Sequence, residues 1–257
     1  ALSSNPNAFR SIALLFDRSR FSFALLSRHP EIFEEVMMQG LRRDKGVETL
    51  RQELRAAPEE EAEAQAWHWL YIKAEQTRIA IREALDEVSA AEARDRLTRL
   101  ADAMLLEWLA RSGAQSEIAL VALGKYAARE ITFGSDLDLV ALAREGQAEP
   151  ATRLVRNLQK WMRYTRPPRM TWEVDLRLRP HGDDGPLASS TSALARYFDG
   201  GGAQFWERMA YSRARVIGGA PELAEGFEAL RQDRVLGAPV TAEDLASIGE
   251  MRRRIEN

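Results

Sequence analysis

Over roughly the first 113 residues, apolar positions recur at helical spacing, and near Ser116 that period changes. Asn5 followed by Pro6 predicts a helix start, with Phe9, Ile12, Ala13 and Phe16 as its buried stripe. Ser19 caps a second short helix through Leu26, and His29-Pro30-Glu31 opens a third whose stripe is Ile32, Phe33 and Val36. A further helix is expected near Val47 to Ala56. Pro58-Glu59-Glu60-Glu61 then opens a long one, its acidic first turn suiting the helix dipole and Trp67, Leu70, Tyr71 and Ala74 forming its apolar face. Ser89 and Glu92 have capping-box spacing, and Leu97, Leu100, Ala101, Met104, Leu105 and Trp108 continue that helix to a stop at Gly113.

Beyond Ser116, the run Ile118 to Leu123 is short, continuous and apolar, as in a buried strand. Gly124 punctuates it, and a second strand is expected through Asp138 to Leu142. Leu154, Val155, Leu158, Trp161 and Met162 mark an amphipathic helix that Pro167-Pro168 must end. In Trp172 to Arg179 the residues alternate: Trp172, Val174, Leu176 and Leu178 on one face, Glu173, Asp175, Arg177 and Arg179 on the other. A helix near Ser192 to Phe198 precedes the Gly200 to Gly202 joint. Phe205, Trp206 and Met209, with Arg208, Arg213 and Arg215, predict a helix leading into an extended piece. From Pro221 the pattern is helical again and breaks off in mid-pattern at Asn257, as expected of a fragment. The pattern predicts a helical region over 1–114, a mixed α+β core over 115–220, and the start of another helical region over 221–257.

The chemistry concentrates between Gly124 and Asp138. Residues two apart on a strand share a face, so Asp136 and Asp138 point one way while Leu137 and Leu139 point into the core. At ~6 to 7 Å between α-carbons, two such charges repel by roughly 2 to 3 kcal/mol at an effective dielectric near 20. A divalent cation would turn that cost into binding. Hard cations such as Mg²⁺ take carboxylate and phosphate oxygens, and two such ions can clamp a phosphoryl transfer. Asp136, Asp138 and Asp175 would supply the carboxylates, with Arg177 and Arg179 neutralising phosphate charge. Gly124-Lys125 and Gly134-Ser135 would bring backbone amides and a donor to a nucleotide. The plainer alternative is an alternating charge pattern on a half-exposed strand, with surface pairs worth under about 1 kcal/mol. The chain lacks the phosphate-binding Gly-x-x-x-x-Gly-Lys-Ser/Thr and Gly-x-Gly-x-x-Gly patterns and the zinc-binding His-Glu-x-x-His pattern. Of the three histidines, His68 reads as packed and His29 as a helix-start residue, leaving His181 beside the candidate site.

Composition narrows the partners. The 257 residues carry a formal net charge of −3, so no global basic field points to nucleic acid or to an anionic membrane. With no cysteine there is neither a disulfide nor a thiolate metal site. No signal-peptide layout and no run of roughly 20 apolar residues is present, and a cytoplasmic protein is expected.

Gly-Ser-Asp-Leu-Asp-Leu after Gly-Lys resembles the signature of the DNA polymerase β-like nucleotidyltransferases. Four segments resemble glutamine synthetase adenylyltransferase more narrowly: 27 to 35, 124 to 139, 172 to 180 and 206 to 215, which together with the helical spacing span nearly the whole chain. That family has two homologous halves, one attaching AMP from ATP to a tyrosine of glutamine synthetase, the other removing it by phosphorolysis. The resemblance implies ATP as substrate, two Mg²⁺ ions, metal ligation by Asp136 and Asp138, and Asp175 as third ligand or base. Arg177, Arg179 and Glu207 also match family motif positions. The implied partners are glutamine synthetase and a PII-type signalling protein. Glu173 and Arg213-Ala-Arg215 resemble the adenylylating half, Asp184 to Leu187 and Trp206 to Arg208 the removing half; adenylylation is the expected direction. A catalytically silent module docking on glutamine synthetase is the rival expectation. Where the family has Leu-Gly-Gly after Gly-Lys, this chain has Tyr126-Ala127-Ala128, which would hinder any positive φ there.

Overall fold

A computed structural model describes residues 13–41, 43–163, 172–200 and 202–256. The expected start at Asn5-Pro6 and the Pro167-Pro168 stop lie outside the described residues. The chain divides into two compact units that interleave in sequence, one of residues 1–107, 129–136 and 159–173, the other of 108–128, 137–158 and 174–257.

The first unit is helical. Helices α1 (Arg20–Leu26), α2 (Pro30–Gln39), α3 (Val47–Leu54) and α4 (Glu61–Ala84) begin where the caps predict: Ser19 accepts from the Ser22 amide, and Pro30 occupies the first turn of α2. The capping box before α5 (Ala90–Arg111) forms as expected, the Ser89 amide donating to Glu92 at 2.7 Å and the Glu92 amide to Ser89 Oγ at 3.3 Å. Leu15, Leu25, Ile32, Phe33, Val36, Trp69 and Ile81 close the core.

The expected face of α4 needs correction. Leu70 is 37% exposed, and from Tyr71 to Ile81 every residue is buried, polar ones included. A helix enclosed on all sides cannot carry a single apolar stripe, so its charges must be answered internally. Lys45 does much of this, donating to Glu53 and Glu75 at 2.6 Å each, while Arg78 donates to Glu75 and to the Gly40 carbonyl. His68 is packed as expected, with Nε2 3.0 Å from the Leu54 carbonyl oxygen.

The second unit is built on a mixed sheet, in agreement with the α+β expectation. Strands β1 (Ile118–Ala122), β2 (Leu137–Ala143), β3 (Val174–Asp175), β4 (Ala188–Ser190) and β5 (Arg215–Gly219) run in the order β3-β2-β1-β5, with β4 also on β2. β1 lies antiparallel between β2 and β5; β3 and β4 pair parallel with opposite ends of β2. Ala119, Val121, Val140 and Leu142 share one face and pack against Leu194, Tyr211, Leu223 and Phe227. Those four come from α8 (Thr191–Asp199), α9 (Phe205–Ser212) and α10 (Pro221–Leu230). Between β1 and β2 lies the short α6 (Gly124–Ala127), and α7 (Ala148–Met162) follows β2. No helix among the described residues is long and apolar enough to cross a membrane.

Candidate functional site

Asp138 is the second residue of β2, where the strand starts beside the end of β1. The antiparallel register pairs Ala122 with Leu139, and the Leu123 amide donates to the Asp138 carbonyl at 2.9 Å. This brings the turn after β1 against the Asp138 side chain. Gly124 adopts φ +54 there, with nothing between its α-carbon and the carboxylate: a β-carbon would stand 2.3 Å from Oδ2. Lys125 is exposed on that turn, and Tyr126 is fully buried. Ala127 and Ala128 continue a helical turn, with Ala128 at φ −71, so their methyl groups meet no left-handed backbone. The positive φ falls instead on Gly124 and Arg129.

The parallel register of β3 on β2 sets Asp175 directly beside Asp138, with Val174 beside Leu137. Register partners of adjacent strands project to the same face, so these two carboxylates share one side of the sheet. Asp175 is turned onto Arg177. Its Oδ1 accepts the Arg177 backbone amide at 2.8 Å, and the guanidinium donates to both oxygens, Nε at 3.0 and 2.9 Å. The Arg177 hydrogen bonds, opposed by burial, hold the Asp175 carboxyl below the usual carboxylate range.

The same bonds correct the expected strand Trp172 to Arg179. An aspartate that captures the amide two residues ahead makes a local turn that competes with sheet pairing. The strand therefore ends at Asp175, and 177–181 form turns in which the Arg179 amide donates to the Leu176 carbonyl at 3.1 Å. Arg179 does not share an outward face with Asp175. It is 7% exposed, donating through Nη1 to the Leu176 carbonyl at 2.8 Å and through Nε to the Gly185 carbonyl at 3.2 Å. Tyr211 Oη braces this turn by donating to the Leu178 carbonyl at 3.0 Å. Glu207 is buried, accepting from Tyr197 Oη at 2.7 Å and the Gln204 amide at 2.8 Å. His181 packs edge-on against Tyr197. Tyr197 and Tyr211 were not singled out from sequence; their only signal was an aromatic at helical spacing, which reads equally as core.

Gly134, Ser135 and Asp136 belong to the helical unit, on the segment 129–136. Ser135 Oγ accepts the Thr132 amide at 2.8 Å, the Trp172 indole donates to the Thr132 carbonyl at 3.0 Å, and Phe133 stacks on Phe21. Arg129 anchors the start of the segment, with Nε 2.6 Å from Asp95 Oδ1. Asp136 is exposed and one residue short of β2. Connectivity alone keeps its α-carbon within roughly 7 Å of that of Asp138.

Two side-by-side carboxylates suit a hard cation, and Asp175 already holds a guanidinium in bidentate contact. Among the described residues no three acid, histidine or cysteine side chains are gathered as a metal site. What the register brings together is the Asp138–Asp175 pair.

Residues 9–230 match the family model described as glutamate-ammonia ligase adenylyltransferase. Similar curated proteins, each named bifunctional glutamine synthetase adenylyltransferase/adenylyl-removing enzyme, come from Burkholderia mallei (31% identical over 99% of this chain and 30% of the relative) and Ralstonia nicotianae (33%, over 99% and 29%). A third, from Pseudomonas syringae pv. tomato, is 31% identical over all of this chain and 29% of the relative. The chain thus spans about three tenths of the length of these relatives.

Proposed function

We propose that this chain, which belongs to the glutamate-ammonia ligase adenylyltransferase family, carries one nucleotidyl-transfer centre and moves AMP from ATP onto a tyrosine of glutamine synthetase. The observation that supports the reading best is the in-register pair Asp138 and Asp175, with Gly124 packed against the Asp138 carboxylate. In the transfer, the acceptor oxygen bonds to the α-phosphorus, the bond from that phosphorus to the β-phosphate oxygen breaks, and pyrophosphate leaves with the charge. The acceptor proton goes to solvent.

Asp136, Asp138 and Asp175 are assigned as carboxylates for Mg²⁺, which when bound would polarise the phosphoryl oxygens and shield the leaving group. Between the two roles implied for Asp175, ligand and base, its environment favours the first. A carboxylate held below its ordinary range is a weak proton acceptor, and a tyrosine hydroxyl near pKa 10 is a poor proton donor. Lys125, exposed beside Gly124, is assigned to the phosphates, and so is Arg177, whose exposed guanidinium would leave Asp175 to reach them. Gly134 and Ser135 are assigned to the nucleotide. Arg179 is assigned to the turn, since its donors go to the Gly185 and Leu176 carbonyls and to Asp183.

Intact-mass measurement of glutamine synthetase after incubation with the chain, ATP and Mg²⁺ tests the assignment. The expected result is an AMP adduct that disappears in Asp138→Asn and Asp136→Asn. An adduct that persists in both variants overturns it. Loss of AMP from pre-adenylylated glutamine synthetase in phosphate, without adduct formation from ATP, assigns the chain to the removing direction. Binding to glutamine synthetase with no response to ATP or metal leaves only a docking module.

A further inference from the structure

A second concentration of charge lies inside the helical unit. Arg78 and Arg82 are one turn apart on α4, Arg96 and Leu100 one turn apart on α5, and the chain before α3 adds Arg43, Asp44 and Lys45. With Leu50, Glu75 and Ile79 these side chains line a small cleft of about 20 Å³ that is open to solvent. Internal pairing answers part of the positive charge. Lys45 and Arg78 share Glu75, and Arg96 Nε donates to Asp44 at 3.2 Å. Glu87 forms an ion pair with Arg82 at 3.6 Å, too long for a hydrogen bond to Nε.

What remains is specific. Arg82 Nε and Arg96 Nη1 are buried without a hydrogen-bond partner, on side chains that are each only 13% exposed. Buried donors are nearly always satisfied, and a charged donor left without an acceptor is costly. Guanidinium groups converging from two helices present forks that match the oxygens of a carboxylate or phosphate. Asp44 senses the surplus: the Arg96 hydrogen bond, with burial opposing, and then the charges of Arg96, Arg99 and Arg82 hold its carboxyl low.

We propose that this cleft is a binding site for one oxyanion group, the phosphate or carboxylate of a small molecule, gripped by Arg82 and Arg96 in the field of Arg43, Lys45 and Arg78. The cleft is small, so it is assigned a single such group, with the rest of the ligand projecting towards solvent. The site is independent of the acidic strand and of the reaction assigned to it.

Thermal unfolding of the whole chain in rising inorganic phosphate, at ionic strength held constant with chloride, tests this. The midpoint is expected to rise to a plateau. Arg82→Gln should weaken the apparent affinity about 10- to 100-fold, the loss of one charge-assisted hydrogen bond. Asp138→Asn should keep the phosphate response, which separates this cleft from the transfer centre. If Arg82→Gln fails to fold by circular dichroism, Arg96→Lys keeps the charge, removes the fork and should show the same weakening. An equal response to acetate supports recognition of any oxyanion group, and a response to phosphate alone supports a phosphate ligand. No plateau, an unchanged response in both arginine variants, or a response lost in Asp138→Asn overturns the proposal.

Discussion

Gly124 and Asp138 are packed so closely that a methyl group on the glycine would sit 2.3 Å from Oδ2 of the aspartate. The glycine is also at φ +54, where a side chain costs roughly 1 to 2 kcal/mol. Gly124→Ala therefore strains the turn and drives the Asp138 carboxylate from its place beside Asp175. Displacing a catalytic group by about 1 Å costs on the order of 100-fold in rate. The expected outcome is a stability loss of about 1 to 2 kcal/mol in urea unfolding and a far larger relative loss of adenylylation. A variant that loses stability but keeps full activity would show that the carboxylate can move without harm.

Arg177 occupies both oxygens of Asp175, the positions a cation needs. Removing it should separate two quantities that usually move together. Arg177→Gln is expected to tighten Mn²⁺ binding, measured by paramagnetic relaxation, because the metal no longer competes with a guanidinium. Under the proposed assignment of the arginine to the phosphates, nucleotide affinity should fall. The Asp175 carboxyl should return upward towards its ordinary value near 4, so metal binding in the variant fails at a higher pH as acid is added. Weaker Mn²⁺ binding in the variant would assign Arg177 as a brace for the Asp175 geometry.

Much of this was legible before any coordinates. Helix starts at Ser19, Pro30 and Ser89 follow from side chains that bond to nearby backbone, and the first strand follows from an apolar run too short for a helix. The Asp138–Asp175 register was not legible, because parallel pairing joins segments that no local pattern connects. The over-long strand after Trp172 has a local cause: period-2 alternation continues to Arg179, but Asp175 spends its carboxylate on the Arg177 amide. The face of α4 was misread because its buried polar residues are answered by Lys45 and Glu53 from elsewhere in the chain.

Arg129 combines a strained backbone, φ +62, with an ion pair to Asp95 at 2.6 Å. Burial raises the Asp95 carboxyl, but the hydrogen bonds from Arg129 and Arg99 outweigh it and the net shift is downward. A carboxylate lowered in the fold contributes stability that is present above its unfolded value near 3.9 and is lost as pH falls through the folded value. Arg129→Gly removes the Asp95 pair and the longer 3.8 Å pair with Asp102, together worth about 1 kcal/mol for a side chain this exposed, and relieves roughly 1 kcal/mol of backbone strain. Near-equal stability at pH 7 and a variant more stable than wild type at pH 2 to 3 are the expected outcomes of denaturant titrations. A variant less stable at both pH values would place more weight on Arg129 as the anchor of the 129–136 segment.

Lys73 is 0% exposed at the centre of α4, its ammonium donating to Gln76 Oε1 at 2.9 Å and lying 5.8 Å from the centre of the Phe21 ring. Neither neighbour carries a negative charge, and burial holds the lysine pKa well below its ordinary value. The unfolded chain, with a lysine near 10.4, binds a proton that the fold does not want between the lowered value and pH 10.4. Stability should therefore rise with pH across that window, by up to about 1.4 kcal/mol per unit from this group. Lys73→Met fills the same space without a charge to bury and is expected to stabilise the fold at neutral pH by roughly 1 to 3 kcal/mol, and to flatten the dependence between pH 7 and 9. Urea titrations of both proteins at those two pH values decide the matter: parallel slopes, or a destabilised variant, would mean that the amine is answered inside the fold and that Lys73 is retained for the contact it makes.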